Sequence, residues 1–229
     1  MTSAPAARPA ATTVAATAVV VAVTAVVVAV TAVVVAAAET VAGAIAESQI
    51  SLTTLSSGLR VVSEHVPGAL SVSAGVWVGV GARDEPHSIC GVSHFLEHLL
   101  FKGTQRRSAK DIAMAVDRVG GDMNAFTSKE FTAYLCRLPA AHSILALDLL
   151  GDVVSSPLLR TADIDSERQV ILEELAMDED TPDDTAYRLF AGALFPGHPL
   201  GRETAGEEAT VRRSEEHTSE LQSRGLISY

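Results

Sequence analysis

The chain has 229 residues, a formal net charge of −11 and two cysteines, and this length suits one domain with appendages. The acidic charge argues against nucleic acid as a partner, because a phosphate-binding surface needs clustered lysine and arginine. The two thiols, Cys90 and Cys136, make neither a disulfide framework nor the paired spacing of a cysteine zinc site, and they favour a cytoplasmic location.

Residues 1–48 differ in composition from everything that follows. Within residues 14–38 the heptad TAVVVAV starts at Thr17, starts again at Thr24 and, with one change, at Thr31. We predict a disordered low-complexity segment, because selection for a membrane helix would not preserve a near-perfect repeat. Two alternatives stay open: a helix that tethers the chain to a membrane, since the uncharged run is long enough to span one, and a secretory signal.

Residues 49–212 are predicted to form the globular domain, which opens with strands. Residues 51–56 and 59–66 are predicted as two strands joined around a Ser-Gly turn. In residues 71–80, valine and alanine alternate with serine, glycine and tryptophan. This period of two predicts a strand with one apolar face.

The rest of this domain mixes helices and strands without a regular order. Residues 89–102 are apolar on nearly every face, which predicts a buried helix. The other predicted elements are an amphipathic helix over 108–119, strands at 122–127 and 130–138, a helix at 142–155 and a longer helix over 163–194 with a break near 181–182. The mixture predicts the α+β class, with a mostly antiparallel sheet packed against helices.

Residues 213–229 are predicted to lie outside the fold. Their sequence resembles the translation of a sequencing-adapter oligonucleotide, which would make this tail an artefact. A natural polar C-terminal helix is the alternative, and the coding DNA distinguishes the two.

The strongest chemical signal is the sequence HFLEH at residues 94–98. On a helix, His94, Glu97 and His98 fall within about 100° of arc on one face. Two imidazoles one turn apart can bind one Zn²⁺, and the carboxylate between them can reach a water on that metal. A polar stripe satisfied by neighbouring side chains is the alternative, but it would be costly in so apolar a helix.

A catalytic zinc needs a third protein ligand and leaves its fourth position to water. Residues 167–174 offer carboxylates for this purpose. On a helix Glu167 and Glu174 share a face, whereas Glu173 points about 100° away from Glu174. One of the two could bind the metal and the other could support a ligand. Spacing alone does not rank them, and a solvated acidic helix face is the alternative.

Four motifs together resemble one protein family. They are GVGARDE at 79–85, HFLEHLLFKGT at 94–104, GDMNAFT at 121–127 and ERQVILEE at 167–174. Their order and spacing resemble the insulinase/pitrilysin family of zinc metallopeptidases, nearest to the branch of mitochondrial processing peptidase and its bacterial relatives. The resemblance spans about residues 51–212.

The resemblance implies a role for each matching residue of the zinc motif. His94, His98 and Glu174 match the zinc ligands of the family. Glu97 matches the general base, and Glu167 matches an acidic residue beside the ligands. The implied cofactor is one Zn²⁺ per catalytic site.

The resemblance also implies a substrate and a partner. Asn124, Ala125 and Phe126 match the edge strand on which the family binds peptide as an added β-strand. Members usually have two homologous halves that close over the peptide, so we expect a second, C-terminal half or a homo- or heterodimer. The implied function is a zinc-dependent metalloendopeptidase acting on peptides or unfolded protein segments. Alternatives are a truncated zinc-binding fragment and a non-catalytic partner subunit.

Overall fold

The computed structural model describes residues 26–31 and 49–213, in which strands and helices are mixed. The strands are β1 (Val26–Thr31), β2 (Gln49–Thr54), β3 (Arg60–His65), β4 (Ser71–Val78), β5 (Asp122–Thr127) and β6 (Thr132–Pro139). The α-helices are α1 (Val92–Leu100), α2 (Ala109–Asp117), α3 (Ser143–Ser155), α4 (Thr161–Asp180) and α5 (Pro182–Leu194). The predicted α+β class is confirmed.

The described strands form a six-stranded sheet in the order β2-β3-β1-β4-β6-β5. Neighbouring strands are antiparallel, except that β1 and β3 are parallel. In β4 the side chains of Val72, Ala74 and Val76 are buried, as the period of two predicts. The buried residues opposite them in β6 are Leu138, Cys136 and Tyr134. One face of the sheet therefore forms a wall of the core.

Helix α1 lies between two groups of buried side chains. Its Leu100 belongs to the core that forms on the sheet, together with buried residues of α2 and α3. Its Phe95 and Leu99 pack instead with Ile164 and Ile171 of α4. Helix α1 makes apolar contacts on two sides, and these contacts hold its polar stripe in a fixed orientation between the sheet and α4.

One strand comes from the segment predicted to be of low complexity. Residues 26–31 form β1, which lies between β3 and β4 although these two strands are consecutive in the chain. A run rich in β-branched residues suits a strand with neighbours on both edges, but its valines do not alternate with polar residues, so periodicity does not predict it. The predictions for residues 1–25 and 32–48 lie outside the described residues. Among the helices described, none is both long and apolar enough to cross a bilayer.

The ends of the helices lie within two residues of the prediction, except at the start of α1. The helix predicted from residue 89 begins at Val92, because residues 87–89 form a 3₁₀ turn. The long helix predicted over 163–194 is two helices, and the break predicted near 181–182 is confirmed. Pro182 is the first residue of α5, a position where the missing N–H costs nothing. The tail from residue 214 onwards lies outside the described residues.

Candidate metal centre

A buried carboxylate holds the loop that leads into α1. Glu85 is 5% exposed and accepts hydrogen bonds from the N–H groups of Gly91 and Ser93, each at 2.7 Å. These donors have no partner within the helix, and a negative charge at this end suits the helix dipole. Burial raises the pKa of the Glu85 carboxyl above its ordinary value of 4.5, although the hydrogen bonds from Ser93 and Gly91 oppose the rise.

A segment near the end of the described chain closes against the same loop. Gly91 has a φ of 92°, and a Cβ there would lie 2.4 Å from the carbonyl oxygen of Ala205. A Cβ on Gly206 would likewise lie 2.4 Å from the carbonyl oxygen of Cys90. The hydroxyl of Thr210 donates to that same Cys90 oxygen at 2.7 Å. Two glycines are therefore needed for this approach, which fixes the start of α1.

The two histidines of α1 direct one nitrogen each towards α4. Their rings are 4.8 Å apart between centroids, and both side chains are mostly buried. His94 Nε2 lies 3.9 Å and His98 Nε2 lies 3.5 Å from the same oxygen, Oε2 of Glu174. One ligand atom from each of the three residues lies within 4.8 Å of the other two. The predicted metal residues are thus brought together.

The donor set fits a divalent metal ion. Ligands at about 2.1 Å around a tetrahedral zinc lie about 3.4 Å from one another, close to the two distances from Glu174. Burial lowers the pKa of His94, and the charge of His98 adds to this effect, while Glu174 opposes it. The neutral imidazole, which is the metal-binding form, is therefore favoured at neutral pH.

The structure separates the two carboxylates that helical spacing leaves unranked. Glu174 faces the Nε2 atoms, whereas Glu167 Oε2 lies 3.1 Å from Nδ1 on the opposite side of the His98 ring. Glu167 is 4% exposed, and its Oε1 lies 2.5 Å from Nζ of Lys102. By contrast, Nδ1 of His94 is buried without a hydrogen-bond partner among the described residues. The two histidines therefore differ in how firmly they are oriented.

Glu97 turns towards β5 and meets a hydroxyl there. Thr127 Oγ1 donates a hydrogen bond of 2.6 Å to Glu97 Oε2. Tyr134 lies buried nearby; burial raises the pKa of its phenol, and the charge of Glu97 adds to the rise. The Glu97 carboxylate is thus held at the junction of α1 and the last strand of the sheet.

The three residues predicted to bind peptide lie on the outermost strand of the sheet. Strand β5 pairs with β6 on one side, and no described strand pairs with its other side. Asn124 is exposed, and its Oδ1 accepts a hydrogen bond of 2.9 Å from the N–H of Ala125. Phe126 is 43% exposed and makes an edge-to-face contact with Phe131. This edge has backbone groups available for an added strand.

Sequence reasoning missed three residues that contact the site. Glu85, Lys102 and Thr127 each lie inside a motif of the family resemblance, but no local spacing links them to the polar stripe of α1. Burial is the signal that could have found two of them, Glu85 and Lys102. A buried carboxylate requires a partner. The partners of Glu85 are free N–H groups before and in α1, and the partner of Glu167 is the Lys102 ammonium.

The comparisons with known proteins agree with this geometry. Residues 60–208 match the sequence profile of the insulinase family, peptidase family M16. An uncharacterized zinc protease of Mycobacterium leprae is 49% identical over 168 residues, which are 73% of this chain and 38% of that protein. An uncharacterized zinc protease of Bacillus subtilis is 43% identical over 158 residues, 69% of this chain and 39% of that protein.

Solved structures support the same relationship. A protease from Helicobacter pylori superposes with a TM-score of 0.71 at 28% identity, over 77% of this chain and 43% of that one. Pitrilysin superposes with a TM-score of 0.68 at 25% identity, over 80% of this chain and 20% of its own. The chain spans less than half the length of the relatives it matches. Since the family profile covers most of its length, the chain belongs to the insulinase family, peptidase family M16.

Proposed function

We propose that this chain carries the zinc site of a metalloendopeptidase that hydrolyses peptides or unfolded protein segments. The observation that supports this most is the convergence of His94, His98 and Glu174 on a volume of metal-site size. The names of the relatives, which are zinc proteases, point to zinc among the divalent metals. Three protein ligands leave a fourth position for water, as catalytic rather than structural zinc requires.

The ligands of this site would keep the metal electrophilic. Two neutral imidazoles and one carboxylate offset only one of the two positive charges of Zn²⁺. When bound, zinc would supply a water of lowered pKa and would polarise the carbonyl of the scissile bond. Glu167 would fix the orientation of the His98 ring by accepting a hydrogen bond from Nδ1, which leaves Nε2 free to bind the metal.

Glu97 is the residue that we propose as general base. It lies on the helix face of the two histidines, and it would take a proton from the attacking water and deliver it to the leaving amine. The hydrogen bond from Thr127 would hold the carboxylate in position between these steps. Neither cysteine competes for the role of nucleophile, because both are buried and burial raises the pKa of each thiol to about 11.

The free edge of β5 is the proposed site for the peptide backbone. A substrate in extended conformation could add a strand beside Asn124, Ala125 and Phe126, with main-chain hydrogen bonds that make little demand on sequence. Such a strand would pass the end of β5 where Thr127 meets Glu97. The scissile bond could therefore be brought next to the base by pairing alone.

A second candidate is a zinc-binding fragment without peptidase activity of its own. The observation that favours it is length, because the chain spans 38% of one relative and 39% of another. On this view the active protein needs a homologous second half, either in a longer chain or as a homo- or heterodimer. A non-catalytic partner subunit is less favoured, since the ligand set and Glu97 are both present.

We also propose a cytoplasmic location, which the two free thiols support.

Metal analysis tests the site independently of activity. We expect one zinc per chain in the wild type and in Glu97→Gln, and a clear loss of zinc in His98→Ala. Absence of stoichiometric zinc from the wild type would refute the proposed function. Full occupancy in His98→Ala would contradict the ligand set.

Peptide cleavage distinguishes the two candidates. It is measured with and without a chelator, on this chain and on a chain extended to the length of its relatives. Chelator-sensitive cleavage by this chain supports the first candidate, and cleavage by the extended chain alone supports the second. In whichever chain is active, Glu97→Gln should lower the rate by about 10²- to 10⁴-fold, and full activity would rule out Glu97 as the base.

A further inference from the structure

The carboxylate of Glu167 divides its two oxygens between two partners. Oε2 lies 3.1 Å from Nδ1 of His98, and Oε1 lies 2.5 Å from Nζ of Lys102. The side chain of Glu167 is 5% exposed, whereas that of Lys102 is 38% exposed. A carboxylate so deeply buried needs a compensating charge, and Lys102 is the cation in contact with it.

Two hydrogen bonds to the backbone of Lys102 hold this residue beside Glu167. Its N–H donates to the carbonyl oxygen of Leu99 at 3.1 Å, which ties it to the end of α1. Its own carbonyl oxygen accepts a hydrogen bond of 3.0 Å from the guanidinium of Arg160, at the start of α4. Lys102 is thus fixed where the helix with the histidines meets the helix with Glu167 and Glu174.

The contact between Lys102 and Glu167 orients the carboxylate more than it stabilises the fold. Because the Lys102 ammonium is partly exposed, water screens its charge, and the pair adds little to stability by itself. With Oε1 held by Lys102, however, Oε2 is left pointing at the His98 ring. A carboxylate in that position selects the tautomer with the proton on Nδ1 and leaves Nε2 free to bind a metal.

We propose that Lys102 is a positioning residue of the metal centre, which acts through Glu167 to orient His98. The inference rests on the proposed function, since it takes the site to bind zinc. Glu167 supports the ring of His98, whereas Nδ1 of His94 has no partner among the described residues. A substitution at Lys102 can therefore disturb the orientation of His98, although Lys102 acts on this histidine only through Glu167.

Zinc affinity of the full chain tests this role without any need for peptidase activity. The dissociation constant is measured by competition with a chromophoric chelator at one pH for the wild type, Lys102→Met and Lys102→Arg. We expect about tenfold weaker binding for Lys102→Met, as for other residues that support a ligand, and recovery to within about threefold for Lys102→Arg. The matched control is Lys110→Met, which removes an exposed lysine at the start of α2 and should leave zinc affinity unchanged.

A double substitution tests whether the effect passes through Glu167. Lys102→Met should weaken zinc binding in the wild type and add nothing in a Glu167→Gln background, because coupled residues are not additive. Equal affinity of Lys102→Met and wild type would overturn the inference, and so would a further loss in the Glu167→Gln background. If the wild type bound no zinc, the metal centre itself would be refuted, and the role of Lys102 with it.

Nuclear magnetic resonance of the metal-free chain supplies a second measurement. The imidazole ¹⁵N shifts of His98 report its tautomer, which should carry the proton on Nδ1 in the wild type and become mixed in Lys102→Met. Circular dichroism checks that the variant is folded. A folded Lys102→Met chain with an unchanged tautomer would overturn the inference, whereas a merely structural role would lower stability and leave the tautomer as it is.

Discussion

Replacement of Glu85 by alanine should destabilise the fold, because it removes the acceptor of two buried N–H groups. Its carboxylate receives hydrogen bonds from Gly91 and Ser93, each at 2.7 Å, and is 5% exposed. A hydrogen bond to a charged group contributes about 1.5 kcal/mol at the low end, so two of them predict a loss of about 3 kcal/mol in the free energy of unfolding. With an m-value near 2 kcal/mol/M, the urea midpoint should fall by about 1.5 M.

Urea denaturation followed by circular dichroism measures this loss, and Glu130→Ala is the matched control. Glu130 also pairs with a partner, Arg83, but its side chain is 62% exposed, so its removal should cost about 0.5 kcal/mol or less. Glu85→Gln should fall between the two, because it keeps one acceptor oxygen. A loss below about 1 kcal/mol in Glu85→Ala would show that the start of α1 does not depend on this carboxylate.

Four further predictions follow from contacts already described. Thr127→Val should lower the rate of peptide cleavage about tenfold through kcat with little change in KM, while Thr127→Ser, which keeps the hydroxyl for Glu97, should restore it; equal rates in both variants would contradict the contact. Leu149→Ala, at a fully buried position of α3, should cost about 2–5 kcal/mol in urea denaturation. Zinc at a hundred times its dissociation constant should raise the free energy of unfolding by about 2.7 kcal/mol, and a chelator should reverse the gain. Because burial raises the pKa of Glu85 in the folded state, the free energy of unfolding should fall as pH rises from about 4.5 through the folded pKa, although the ionised carboxylate keeps its two hydrogen bonds; Glu85→Gln should remove this part of the pH dependence.

Local periodicity accounts for the part of the site that was predicted from the sequence. His94, Glu97 and His98 lie on one helix, so their common face follows from 100° per residue alone. The family resemblance, which carried the third ligand, is confirmed by the match of residues 60–208. The roles of these residues stay predictions, since geometry brings side chains together without reporting what they do.

Packing between distant segments accounts for what the sequence could not predict. Glu167 and Glu174 share one face of α4, and only the contact of α4 with α1 directs one to the Nε2 atoms and the other to Nδ1. Thr127 reaches Glu97 across 30 residues of chain, a separation with no periodic signature. Strand β1 escaped prediction for another reason, because valine runs do not alternate and its parallel pairing with β3 depends on tertiary contacts.

The close approach of the Gly91 loop and the Gly206 segment has a consequence for biosynthesis. The helix with both histidines is translated long before Thr210, whose hydroxyl secures the loop at its start. While the nascent chain still lacks that segment, no backbone packs against the loop, and α1 can fray at its first turn. Metal capture should therefore come late, once residues 205–210 have packed against this loop, rather than when the motif itself is translated.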